Sequence, residues 1–433
     1  MNPRTRLKTM ANELHLAVLA GSIERTLAVL ATGSVDIDQG DAAGATPLMM
    51  AAVKGNAHIV EILLRKGANV SMVDNGGVTA LHFSAEQGLV VAVAKLLARA
   101  GADLEAKITT TRHTPLHLAA LYGRSEMVGA LIEAGANPDS RVPSGATALH
   151  MAVVKGHLDV LRELIRGKAN PSLINTDPPE YLPTVPLDLA AEYGHSDMVR
   201  ELVQEFGVKG CDVANDGQLA LRAAARKQHL DVMTILTEAG VVDTAGLAFC
   251  CAAANGREES VKFLLRQRCK ESNSSSVDDV YINARPNGCT PLAASIRSCS
   301  SQAPRIVRLL IDAGADTTSA VRVTNSQGEL EFNGTPLAFT ATCLRKKFCT
   351  EGKPATEEHL HRLEAIRRLF LRVEAVHAVS WLWPSDAPVI SHGARSSPKP
   401  PLSALRLMLP ILKRRAKRRS VLVAAFLRYS AKA

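Results

Sequence analysis

Small and apolar positions recur along this chain in a fixed order. A Thr precedes Pro or Ala and then Leu in Thr46-Pro47-Leu48, Thr79-Ala80-Leu81, Thr114-Pro115-Leu116 and Thr147-Ala148-Leu149, at steps of 33, 35 and 33 residues. Five residues after each Thr stands a small pair or a near match: Ala51-Ala52, Ser84-Ala85, Ala119-Ala120 and Ala152-Val153. Nine residues after it stands Gly55, Gly88, Gly123 or Gly156. An apolar stripe then leads to Leu63-Leu64, Leu96-Leu97, Leu131-Ile132 or Leu164-Ile165, and blocks close on Gly67-Ala68-Asn69, Gly101-Ala102-Asp103 and Gly135-Ala136-Asn137.

Each position has a physical task. The Thr hydroxyl caps a helix N-terminus, and Pro fits the first helical position, where its missing N–H costs nothing. The Leu is core, and the small pair lets neighbouring helices approach closely. The first Gly supplies the left-handed residue that ends one helix. The apolar stripe predicts a second helix with one buried face. The closing Gly ends it, and Asn or Asp turns the chain toward the next block. Helices this short fall below the ~12–15 residues an isolated helix needs, so they persist only by stacking on neighbours.

The series resembles the ankyrin repeat. Thr114-Pro115-Leu116-His117-Leu118-Ala119-Ala120 with Gly123 is a full copy of its core, and four consecutive units keep register. The resemblance implies an all-α ankyrin-repeat solenoid of stacked helix-turn-helix units with β-hairpin fingers, about ten repeats in all. Leu14-His15-Leu16-Ala17 with Gly21 reads as a first unit that has lost its Thr-Pro. Pro186-Leu187-Asp188 with Ala190-Ala191 and Gly194 marks a sixth unit, after a Pro-containing insertion near 176–183. Ala220-Leu221 through Ala224-Ala225 marks a seventh, with Gln228 where Gly is expected. Ala252-Ala253 and Gly256 mark an eighth. Thr290-Pro291-Leu292 and Thr335-Pro336-Leu337 open a ninth and a tenth.

Three insertions interrupt the later units. Residues 270–282 are Ser-rich and read as a mobile loop, residues 319–332 as an extended finger turning at Gln327-Gly328, and residues 343–355 as a spacer. Thr356 then opens a longer amphipathic helix, with Leu360, Leu363, Ile366, Leu369 and Val373 on one face, as a C-terminal cap. The expected organisation is an N-terminal segment 1–11, the array over 12–375 (regular from 40 to 172, degenerate from 173 to 375), and a lid and basic tail over 376–433. Trp381-Leu382-Trp383-Pro384 is expected to pack as the hydrophobic lid.

Charge changes this picture only at the end of the chain. The net charge is +9, yet residues 387–433 hold 11 Lys/Arg and no acid, leaving 40 basic and 42 acidic residues for the rest. The body is therefore not a basic nucleic-acid binder throughout. Residues Lys413, Arg414, Arg415, Lys417, Arg418 and Arg419 form the densest basic run. Three readings stay open for it: a nuclear-localisation signal, part of a basic amphipathic segment (Leu407 to Tyr429) that binds an anionic membrane or a calmodulin-like partner, and a solvated end. Nucleic acid or an anionic membrane is thus a partner for the tail 395–433 only.

Candidate chemistry is sparse. None of the eight cysteines forms the C-x-x-C pair that zinc ribbons need. No phosphate-binding G-x-x-x-x-G-K, no G-x-S-x-G elbow and no H-E-x-x-H pair occurs. His359 and His361 are two apart and so point to different helix faces. His15, His82, His117 and His150 share one position, three after the Thr (or its equivalent), where the resemblance implies a structural role between neighbouring loops. Residues 1–10 are basic and polar with no apolar core behind them, and no stretch reaches ~18 consecutive apolar residues. The expectation is an intracellular protein of cytoplasm or nucleus that is not an enzyme and has no cofactor, metal, catalytic residue or small-molecule substrate.

What remains is binding of another protein. The resemblance implies contacts from the concave surface, the fingers and exposed positions of the first helix. Counting from the Thr selects Met50, Phe83, Glu86, His113, Tyr122, Met151, Lys155 and Tyr193. Aromatic residues and Met are among the types enriched at interface centres. The expected role is an adaptor, scaffold or inhibitor. A nuclear cofactor whose tail contacts nucleic acid is the alternative, or a substrate receptor of a ubiquitin-ligase complex. The mark of such a receptor would be an F-box or SOCS-type segment, and the Leu/Pro/Arg-rich end is only faintly similar to the latter.

Overall fold

The computed structural model describes residues 13–88, 90–176, 184–212, 216–271, 279–286, 289–298, 300–318, 321–324, 330–346 and 356–382. The chain divides into two compact units, Met1–Ile366 and Arg367–Ala433. The first unit opens with the helix pairs α1 (Glu13–Leu19) and α2 (Ile23–Ala31), α3 (Pro47–Lys54) and α4 (Ala57–Arg65), α5 (Ala80–Gln87) and α6 (Val91–Arg99). It continues with α7 (Pro115–Leu121) and α8 (Ser125–Glu133), α9 (Ala148–Lys155) and α10 (Leu158–Arg166), α11 (Pro186–Tyr193) and α12 (Ser196–Cys211). The degenerate part holds α13 (Gln218–Lys227) and α14 (Leu230–Glu238), α15 (Leu247–Ala254) and α16 (Glu258–Glu271), the short α17 (Asp279–Ile282), then α18 (Pro291–Arg297) and α19 (Ala303–Asp312). Strands β1 (Val321–Thr324) and β2 (Leu330–Gly334) precede α20 (Pro336–Lys346), and α21 (Glu357–Leu382) crosses from the first unit into the second.

The caps form as the sequence predicts. Thr114 is extended (φ −88°, ψ 167°), its hydroxyl accepts the His117 N–H at 3.4 Å, and the His117 ring nitrogen Nδ1 accepts the Thr114 N–H at 3.3 Å. Thr79 and His82 repeat this exchange. Gly55, Gly88 and Gly156 close α3, α5 and α9 in the left-handed region. The small pairs lie where first helices of successive blocks meet: Ala51, Ala119, Ala120, Ala152, Ala190, Ala191, Ala224 and Ala225 are all fully buried. Each second helix buries a narrower stripe, as Ile59, Val60 and Leu63 do in α4. This is nearest-neighbour stacking: first helix packs on first helix, second on second.

The fingers differ from the expected β-hairpins. In the regular region each is a tight turn closed by two backbone bonds, as from the Asp74 N–H to Val78 O (3.0 Å) and from the Gly77 N–H to Asp74 O (2.9 Å). An Asp side chain holds the turn, since Asp74 Oδ1 accepts the N–H groups of Gly76 and Val78. Single bonds also link finger to finger, Asn75 N–H to Ala43 O and Thr109 N–H to Gly76 O. Bonds confined to the turn itself do not make a strand ladder. The expected extended finger does form a pair: β1 and β2 are antiparallel, with Val321 opposite Gly334. Its predicted turn at Gln327-Gly328 lies outside the described residues.

The degenerate blocks solve the loss of Thr with buried aspartates. Asp243 Oδ1 accepts the Ala248 N–H (3.2 Å) and its Oδ2 the Phe249 N–H (2.9 Å), capping α15. Asp212 Oδ2 accepts the Gly217 N–H at 3.3 Å, ahead of α13. The Ser-rich insertion, expected as a mobile loop, is anchored where it is described. α16 runs to Glu271, and Tyr281 and Ile282 of α17 are buried, with the Tyr281 hydroxyl donating to Asp243 Oδ2 at 3.0 Å. Burial of one aromatic ring outweighs the polar composition around it. In α21, Thr356 caps the helix by accepting the His359 N–H, and Leu363 and Ile366 are buried. The spacer beyond Lys346, the lid beyond Leu382 and the basic tail lie outside the described residues.

Gln228 ends α13 in the left-handed region (φ 68°) where its counterparts are Gly. A side chain there costs about 1–2 kcal/mol of backbone strain, while Gly gains chain entropy when unfolded. Gln228→Gly is therefore expected to raise stability by about 0.5–1 kcal/mol, measured by urea denaturation. An unchanged or lower midpoint would show that the Gln side chain makes compensating contacts.

Candidate functional site

The candidate contact residues all lie on first helices or fingers, and stacking sets which of them meet solvent. Met50 is fully buried, on α3 between α1 and α5. It belongs to the core and is removed from the surface. Phe83 and Met151, at the same position in α5 and α9, are half-buried. Tyr122 and Tyr193 are 46% and 52% exposed, large aromatic surfaces left uncovered at the ends of α7 and α11. Lys155 is exposed at the equivalent position of α9.

Polar neighbours hold part of this face in place. Glu86 is half-buried, and burial pushes its carboxyl up while the Tyr122 hydroxyl bonds to it. Arg124 Nε donates to Glu86 O at 3.1 Å. Glu192 pairs with Arg226 of the next block at 2.6 Å. The Tyr193 ring stacks on His195, with centroids 6.1 Å apart. His113 stacks on His117 at 5.9 Å, and its carbonyl faces His82 Nε2 at 3.1 Å. His113 is therefore partly committed to the scaffold.

The four aligned histidines are buried to 1% exposure or less. In His82, His117 and His150 the Nδ1 atom receives a backbone N–H, so the ring is neutral with its proton on Nε2. Nε2 of His82 reaches the next finger, as does Nε2 of His15, which lies 3.0 Å from Ala45 O. Nε2 of His117 and of His150 is buried on the side of the carbonyls of Ala146 and Thr184. Burial pushes both rings down from 6.5 to about 4. The same position holds Asp188 in α11 and Cys250 in α15. Cys250 Sγ keeps the link, donating to Cys289 O at 3.6 Å. Asp188 Oδ2 accepts the Val185 N–H, its Oδ1 is buried without a partner, and burial raises the carboxyl to about 7.

Among the described residues no three metal-ligating side chains converge, and no helix is long and apolar enough to cross a membrane. Burial raises the thiols of Cys211, Cys250 and Cys289, the opposite of what a nucleophilic thiolate needs. Sequence reasoning left out Lys54, which stands before Gly55 as Tyr122 stands before Gly123. Counting back one residue from each closing Gly would have found it.

A family model for ankyrin repeats, three copies to a match, fits residues 14–108, 92–175 and 173–246. Over 142 residues the chain is 33% identical to NF-kappa-B inhibitor alpha of Rattus norvegicus, covering 30% of this chain and 44% of that protein. It is 31% identical over 125 residues to inversin of Gallus gallus, covering 29% of this chain and 11% of inversin. It is 29% identical over 239 residues to the E3 ubiquitin-protein ligase KEG of Arabidopsis thaliana, covering 53% of this chain and 14% of the ligase. The chain thus spans less than half the length of each of these relatives.

Proposed function

Because the chain belongs to the ankyrin-repeat family, matched over residues 14–246, we propose that it binds a partner protein through the face built from its first helices and fingers. Ankyrin repeats serve protein interaction, in adaptor and inhibitor roles among others, and the fold is typically a non-enzymatic module. The relatives' names range from an inhibitor to a ubiquitin ligase and a putative palmitoyltransferase, so the repeat alone does not choose among these roles. A role without catalysis of its own is the reading for this chain, in cytoplasm or nucleus.

The observation that carries the placement is the pair Tyr122 and Tyr193. Large exposed aromatic side chains on a stacked, preorganised face are the type that forms interface anchors. Phe83 and Met151 supply apolar surface beside them. Alanine at Phe83, Tyr122 and Met151 together, with a second variant carrying Tyr122→Ala and Tyr193→Ala, is expected to abolish partner capture by proximity labelling. Helicity by circular dichroism should be unchanged. Capture retained by both variants would refute the placement.

A further inference from the structure

The last residue before each first-helix terminus falls in one row across consecutive blocks: Lys54, Gln87, Tyr122, Lys155, Tyr193 and Lys227. The row carries no acid. Its lysines are exposed and take part in none of the ion pairs among the described residues. The nearest carboxylates one position inward are already committed, Glu86 to the Tyr122 hydroxyl and Glu192 to Arg226. Two exposed tyrosine rings and three lysines that form no ion pair among the described residues therefore face solvent along this row.

We infer that this row binds an extended, acidic segment of a partner protein, reading its carboxylates with Lys54, Lys155 and Lys227 and its apolar side chains with Tyr122 and Tyr193. The inference rests on the protein-binding reading above and specifies the partner's chemistry. The spacing sets the pattern. Packed helices lie roughly 8–10 Å apart, and an extended chain advances about 3.3 Å per residue, so each block meets about three residues. Lys155 lies between the two tyrosines, so a carboxylate about three residues from an apolar side chain on either side matches the row. Nucleic acid fits less well. Its phosphates carry a charge every few ångströms, whereas these lysines are two or three blocks apart.

The test pans the full chain against an unbiased display library of peptides about fifteen residues long, enough to span the row. The expected result is enrichment of peptides with Asp or Glu about three residues from an aromatic or aliphatic residue. Their affinity should fall about tenfold or more in a Lys155→Glu, Lys227→Glu variant and decline with added salt. Both substitutions are at exposed positions, and circular dichroism checks the fold. Enriched peptides without acidic bias that are lost in Tyr122→Ala, Tyr193→Ala would overturn the acidic partner while leaving the binding face intact. Peptides indifferent to both variants, or no enrichment at all, would overturn both. Tighter binding of single-stranded DNA than of any peptide, lost in the lysine variant, would replace the partner class. A peptide matching a segment of this chain would turn the row into a self-association site and overturn the inference.

Discussion

Between pH 6.5 and 4 the array is expected to lose about 3 kcal/mol of stability at each of His117 and His150. Both rings are buried neutral, with pKa values lowered from 6.5 to about 4. The sign follows from linkage. Above 6.5 the ring is neutral whether folded or unfolded. As the pH falls, the unfolded chain takes up a proton that the folded ring refuses until about 4, so stability is lost through that window at about 1.4 kcal/mol per unit and per ring. Asp188 works in the opposite sense. Its carboxyl is raised from 3.8 to about 7 in the fold, so its contribution is fully present below 3.8 and is lost as the pH rises toward 7. The two effects overlap, and variants separate them. Urea denaturation across pH 4–8 is expected to give a flatter acid limb for His117→Gln, His150→Gln. Asp188→Asn should give a steeper acid limb and higher stability near neutral pH. Parallel profiles for all three proteins would contradict the assignment.

Asp243→Ala is expected to destabilise the chain by about 3 kcal/mol or more. One buried carboxylate holds the Ala248 and Phe249 N–H groups and the Tyr281 hydroxyl. Its removal strips the cap from α15 and leaves buried donors unsatisfied, each costing about 1–3 kcal/mol. It also frees the ring that pins α17, which stacks on Phe249 with centroids 5.0 Å apart and lies beneath the Arg268 guanidinium. Tyr281→Phe removes only the hydroxyl bond and should cost about 1 kcal/mol. Hydrogen exchange localises the effect: amides of α15 and α17 should lose protection in Asp243→Ala, while those of α7 and α9 keep theirs. Equal loss throughout would mean that the unit melts as one body and that the anchor is not local.

How much of this was legible depends on how local each cause is. The Thr hydroxyl and the closing Gly act within one helix, so Thr46, Thr79, Thr114 and Gly55 announced their elements directly. The shared histidine position was equally plain, because its partner lies at a fixed distance in the next block. The sequence reading failed where the partner sits at an unrepeated distance. Tyr281 reaches Asp243 across 38 residues and an insertion. That bond turned a segment read as mobile into one that is partly anchored. Gln228 shows the complementary case: tertiary stacking holds a left-handed residue that local preference argues against. For the binding face, position in the repeat identified Tyr122, Lys155 and Tyr193 as exposed. It could not distinguish Phe83 from Met50, since the flanking helices decide how deeply the same position is buried.

The bonds between blocks run both ways. His15 and His82 reach toward the next finger, while Arg124 and His229 reach back to the carbonyls of Glu86 and Glu192. The junction of the third and fourth blocks is thus signed from both sides, by His82 and by Arg124. This limits how such a gene can change length. A cut that removes one whole period, from a finger to the equivalent point of the following finger, rejoins a forward-reaching side chain to a fresh carbonyl and a backward-reaching one to another. A cut of any other size orphans donors on both sides of the scar. Growth and shrinkage by whole periods are the edits this architecture absorbs.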